Sequence, residues 1–213
     1  VCTEGKMYSD LSASADGYTL LSIFRPGGKQ AAVALIDMKG KQVNSWNLMG
    51  YPAQMTPTGH IMGHKLPVEP PKSVHDVESM AQFNWHGKMV WESDYWSSKE
   101  KSTMMSRQHH DIQLSPNPVG YFAPGQKASE DGNYLILANE ILKAPAVSDK
   151  KLNDDVIYEV KADGSKTGFI WYASKHIDEM GFSAADREEI RQNPNWSAEA
   201  GTGDWIHLNA ISA

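Results

Sequence analysis

The chain has 213 residues, of which 40% are hydrophobic and 22% charged, and a formal net charge of −6. That is the composition of a soluble globular protein able to bury a real core, as one large domain or two small ones. An acidic chain without a long basic run lacks the cationic surface that nucleic acid or anionic lipid demands, so neither is expected as a partner.

No stretch approaches the ~20 consecutive apolar residues of a membrane-spanning helix. The opening VCTEGKMYSD lacks the apolar middle of a signal peptide, so any signal is expected to have been removed already. Cys2 is the only cysteine, which excludes an internal disulfide and a four-cysteine metal site. It is either a free cytosolic thiol or, in an exported protein, half of a disulfide to another chain.

Two kinds of hairpin alternate along the chain. The first element, SADGYTLLSI at 14–23, turns at Gly17, and LIDMKGKQVNSW at 35–46 follows with an alternating strand, a turn at Gly40 and a second strand ending in Trp46. TPTGHIMGH at 56–64 returns to the first kind, and QFNWHGKMVW at 82–91 repeats the second, ending in Trp91. EDGNYLILAN around Gly132 and IYEVKADGSKTGFIW at 157–171, ending in Trp171, complete a third pair. Period-two alternation gives each strand one core face, and glycine supplies the positive φ that the turns need.

Alternating hairpins predict a four-stranded unit repeated around an axis, and the interval from Gly40 to Gly87 is close to the ~40–50 residues of a propeller blade. The interval from Gly87 to Gly164 is far longer. A Pro- and Gly-rich insertion at 116–132 accounts for much of the excess, and Lys143–Asp154 for more. The chief exception to the β pattern is a short helical insertion near 174–192, with Ser183 capping, Asp186 three residues on, Pro194 beyond the end, and an earlier helical turn stopped by Gly181. Periodicity leaves a two-layer β-sandwich with a helical excursion as the alternative. Trp46, Trp91 and Trp171 recur at one place in the repeat and are read as packing between units.

Two short segments carry chemistry. QHHDIQLSPN contains His109, His110 and Asp111; GDWIHLNAIS contains Asp204, Trp205, His207 and Asn209. With the hairpin repeat they give the chain, from about Ser14 onward, a likeness: it resembles the arylsulfotransferase (aryl-sulfate sulfotransferase-like) family of six-bladed β-propellers. The resemblance implies an all-β fold in which residues 1–213 form a single propeller portion with about half of the blades. Six blades need roughly 270 residues before any insertion, so the ring is expected to be completed by a second polypeptide, by copies of this one, or by a missing C-terminal region.

The resemblance also implies an enzyme acting on a small aromatic substrate, moving a sulfuryl group from an aryl sulfate to a phenol, in the periplasm or secreted; a cytoplasmic location stays open. His207 would bind or polarise substrate, His109 or His110 would act as acid or base, and Asp111 and Asp204 would orient imidazoles. The family's nucleophilic histidine and an arginine would lie outside these residues. The chemistry needs such groups in any case: a neutral imidazole is a good nucleophile, cations must neutralise the sulfate oxygens, and an acid must protonate the departing phenolate.

Trp205 is placed to stack on an aromatic ring or to be buried under a neighbouring sheet, and Asn209 stands beside it as a substrate-binding candidate. Arg107 is a candidate anion-binding cation, against the plainer reading of a solvated side chain. His75 with Asp76 repeats the His-Asp pairing in a loop. Adjacent strand residues point to opposite faces, so only one of His109 and His110 is expected to face the site. His60 and His64, four apart in a strand, are ~13 Å apart and cannot chelate one ion together. His86 is read as exposed in a turn, and His176 as lacking an evident partner. If three of His60, His64, His75, His109, His110 and His207 converge, Zn or Cu is a possible cofactor. Two further function classes thus stand: a histidine-metal propeller with hydrolase, lyase or oxidase chemistry, and a non-catalytic propeller that binds a ligand or protein.

Overall fold

The computed structural model describes residues 16–23, 32–56, 58–65, 79–93, 108–115 and 132–211. Among them strand accounts for 55% and helix for 9%, so the chain is all-β and helix is an addition to a sheet scaffold. Three sheets follow one another along the chain. The first holds β1 (Tyr18–Ile23), β2 (Ala32–Asp37) and β3 (Gln42–Trp46); the second holds β4 (Met49–Met55), β5 (Ile61–His64), β6 (Met80–Phe83) and β7 (Met89–Ser93). The third is built on β8 (Gln108–Ser115), β9 (Asn133–Ala144), β10 (Ser148–Val160) and β11 (Lys166–Tyr172), with the short β12 (Trp196–Ser197) and β13 (Thr202–Gly203) joined to β10. Within each main sheet consecutive strands pair antiparallel.

The turns form where glycine permits them. Gly40, Gly59, Gly87 and Gly164 all have φ between +76° and +83°. In each, the glycine N–H donates to the carbonyl three residues back, and that earlier residue's N–H donates to the carbonyl four ahead, as with Gly40 to Asp37 and Asp37 to Lys41, both 2.9 Å. This is a type I turn closed by a left-handed residue, which matches the twist of the strands it joins. Side chains reinforce it: Asp37 Oδ1 accepts from the N–H of Lys39 and Lys41, and Asn84 Oδ1 from those of His86 and Lys88.

Burial explains why alternation fades in the second sheet. Ile61 joins Val33, Leu35, Trp46 and Leu48 in one core, while its neighbour Met62 joins Met80, Trp91, Ile112, Leu114 and Ile136 in another. Successive side chains on a strand face opposite ways, so the second sheet lies between the other two and β5 is buried throughout. Three sheets stacked in series differ from the two layers of a sandwich. The tryptophans do the stacking: Trp46 Nε1 donates to Asn84 O at 3.0 Å, and Trp91 packs 5.8 Å from Tyr134. Trp171 instead lies flat on His176, with ring centres 4.9 Å apart.

Lys143–Asp154 adds to the third unit as strand: the β9–β10 pairing runs from Tyr134 opposite Val160 to Ala144 opposite Ser148, so the excess lengthens two strands. One sequence expectation is corrected here. His176 has partners, the Trp171 ring and Glu179 Oε2 at 3.1 Å from its Nδ1. The helical insertion forms as a 3-10 turn at Ala173–Lys175 and helix α1 (Ala184–Gln192), and Ser183 and Asp186 make a reciprocal capping box. Ala173, Ile177 and Trp205 close a third core with Val147 and Leu152, against which Met180, Phe182 and Ile190 pack. Residues 116–131 lie outside the described residues.

Candidate functional site

β8 starts irregularly. Gln108 stands opposite Ala138 and Ile112 opposite Ile136, so His109, His110 and Asp111 together face the single Leu137. His110 absorbs the surplus with φ +58°, a left-handed conformation rare outside glycine that costs about 1–2 kcal/mol. Such a bulge re-aims side chains. The alternation rule therefore fails at this point, and both imidazoles reach one cluster: their centres are 5.1 Å apart, and they lie 5.7 Å (His109) and 5.1 Å (His110) from the centre of His207.

His207 comes from residues 204–211, a segment without regular secondary structure that crosses the same end of the third sheet. Its Nδ1 is 2.9 Å from Asp204 Oδ2 and its Nε2 is 3.0 Å from His110 Nε2. A carboxylate only accepts, so His207 Nδ1 carries hydrogen. The neutral ring then presents a lone pair at Nε2, and His110 Nε2–H donates to it. The result is a directional chain from His110 through His207 to Asp204, with His207 about half exposed.

His109 is buried beneath this pair. Its Nε2 is 2.9 Å from Asp155 Oδ1, close enough to pair, but the carboxylate lies off the N–H axis, so the contact is electrostatic rather than an in-line hydrogen bond. Asp155 is the site residue that sequence reading missed. Its signal was Asp154-Asp155 running directly into the apolar Val156-Ile157-Tyr158 of the same strand, since adjacent buried carboxylates each need donors on their own face. Asp155 Oδ2 accepts from Leu208 N at 2.9 Å. Asp154, facing the other way, accepts from Ser174 N and Oγ and from Trp205 Nε1. Burial raises the Asp154 carboxyl above its ordinary value, opposed by those hydrogen bonds and aided by the charge of Asp155.

Other candidates have other environments. Asp111 orients no imidazole among the described residues: its oxygens accept from Gln54 Nε2 at 3.0 Å, Ile112 N at 2.9 Å and Ile211 N at 2.8 Å, fastening the 204–211 segment and β4 to β8. Trp205 is packed in the third core with its indole N–H on Asp154, which leaves no face for substrate. Asn209 is exposed on the segment, His86 is exposed in its turn, and His64 is buried in the second sheet. Arg107 and His75 lie outside the described residues.

Among the described residues no group of three or more His, Cys, Asp or Glu is arranged to hold a metal ion. Nor is any helix long and apolar enough to cross a membrane. A cavity of about 470 Å³ lined by Glu140, Lys143, Tyr172 and Lys175 opens on the Asp154 side of the sheet, because Glu140 pairs opposite Asp154. No family model matches the sequence, and no curated protein matches it significantly.

Proposed function

We propose that this chain is part of a six-bladed propeller enzyme that moves a sulfuryl group between phenolic oxygens. The observation carrying the reading is the meeting of His110 and His207, distant in sequence, at 3.0 Å between their Nε2 atoms with Asp204 behind His207. The two segments that carry the resemblance are the ones that converge, and three antiparallel meanders stacked in series suit a propeller ring.

In this reading an aryl sulfate binds with its oxygens toward the imidazole N–H groups. A nucleophilic nitrogen, which the resemblance puts outside these residues, attacks sulfur as the S–O bond to the ring breaks, and the leaving phenolate takes a proton from the His110–His207 pair. An acceptor phenol then returns a proton to the pair while its oxygen attacks sulfur and the N–S bond breaks. The pair must therefore carry one extra proton when the donor binds, which the phenolate removes and the acceptor restores; Asp204 stabilises that imidazolium, as a carboxylate does behind any general-base histidine.

The test is transfer from 4-nitrophenyl sulfate to phenol, followed by nitrophenolate release in the protein as isolated from its source. His207→Ala is expected to abolish it while leaving thermal unfolding nearly unchanged, because the side chain is half exposed. An unaltered rate sinks the proposal.

One observation favours a second reading. Two converging Nε2 atoms, one ring backed by a carboxylate at its other nitrogen, also suit a Zn or Cu ion serving hydrolase, lyase or oxidase chemistry. Metal analysis of the purified protein separates the two. Absence of both turnover and metal points to a non-catalytic binding propeller.

A further inference from the structure

We propose that Asp155 is the positioning residue that sets His207 against His109 and His110. The inference rests on the proposed function only in treating these histidines as the working groups.

The segment carrying His207 has no strand partner of its own, so its place depends on side chains reaching out from the sheet. Three carboxylates do this at every third residue: Asp154 holds the indole of Trp205, Asp155 the N–H of Leu208, and Asp111 the N–H of Ile211. That spacing turns residues 205, 208 and 211 toward the sheet and leaves His207 outside, facing His110. Of the three, Asp155 alone also touches an imidazole. One oxygen takes Leu208 N–H, next to His207 in the chain, while the other lies 2.9 Å from His109 Nε2. A single side chain, 3% exposed, thereby ties the His109–His110 bulge to the His207 segment.

Burial makes the arrangement demanding. A buried carboxylate needs compensation, here the hydrogen bond from Leu208 N–H and the adjacent His109 imidazole, so moving either the segment or His109 strips it of a partner. The same link defines the proton on His109, because a carboxylate facing Nε2 favours the Nε2–H form.

Asp155→Asn tests this with little change of shape. Its amide oxygen still accepts Leu208 N–H, but the NH2 now faces His109 Nε2–H, and the repulsion between the two N–H groups is relieved when that ring moves its hydrogen to Nδ1. Imidazole 15N NMR reads the tautomer in the full chain without any substrate. The expected result is a folded variant in which His109 changes tautomer, the His110–His207 shared-proton signal shifts, and aryl sulfate transfer falls by about 100-fold, the scale of a small misplacement of reacting groups. Asp111→Asn, which fastens the segment without touching an imidazole, is expected to lower the melting temperature while leaving the His109 tautomer as it was.

Histidine signals unchanged in folded Asp155→Asn overturn the proposal, as does a loss of transfer that merely follows melting temperature in both variants. Should Asp155→Asn not fold, Asp155→Glu, with charge and both acceptors retained one methylene farther out, is read in the same way; undisturbed His207 signals there also overturn it. Because the NMR readout needs no turnover, a chain inert toward aryl sulfates refutes the sulfuryl reading alone.

Discussion

His110 is where local strain and the site coincide. Its left-handed backbone crowds the Cβ against the carbonyl, so glycine, which has no Cβ, should adopt it more readily. His110→Gly is therefore expected to be more stable than His110→Ala by about 1 kcal/mol, measured by chemical denaturation, although both lose the contact to His207. Asp154 offers a test through pH. Its folded-state pKa is raised, so the native state keeps this proton to higher pH than the unfolded chain, and its ionisation subtracts stability as pH climbs from about 3.8 through the raised value. Asp154→Asn should remove this group's downward pull on the melting temperature as pH rises through that acidic window; an unaltered slope would show that the carboxyl titrates normally. The sequence made the histidines legible through their clustering. It concealed the bulge, because a strand read by alternation has no place for φ +58°, and it concealed the role of Asp111, whose partners are backbone groups that carry no sequence signature.

At the level of elements, hairpins were the most legible features, since turn glycines declare themselves. They are not equivalent. A Cβ on Gly40 would meet nothing within 4 Å, whereas one on Gly164 would come within 2.7 Å of the Trp91 ring on the preceding sheet. Gly40→Ala should cost only the left-handed backbone term, about 1–2 kcal/mol, and Gly164→Ala should add an overpacking cost of about 1–3 kcal/mol. Equal losses in parallel denaturation curves would mean that the Trp91 ring yields freely. Capping chemistry was equally readable in Ser183 and Asp186. The β9–β10 extension was not: its Lys-, Asp- and Asn-rich arm is exposed along much of its length and imitates a loop, because pairing between backbones does not require apolar side chains.

Over the whole molecule, the serial order of the sheets follows from which residues share cores. The repeat in the sequence foretold consecutive antiparallel hairpins, which the structure gathers into sheets of three, four and six strands rather than four in each. The third sheet is covered by the helical insertion through Ala173 and Ile177, which no hairpin pattern could announce. The second sheet gives both faces to its neighbours through Ile61 and Met62. Subunits of stability that share a wall cannot open independently. Amide hydrogen exchange should therefore find the N–H groups of β5 and β6 released only in global unfolding, with those of β1 and β11 exchanging earlier; protection at β5 no greater than at β1 would refute this. The middle sheet thus acts as a cooperative hinge-pin: the outer sheets can fray singly, but once it opens, both cores are lost in the same event.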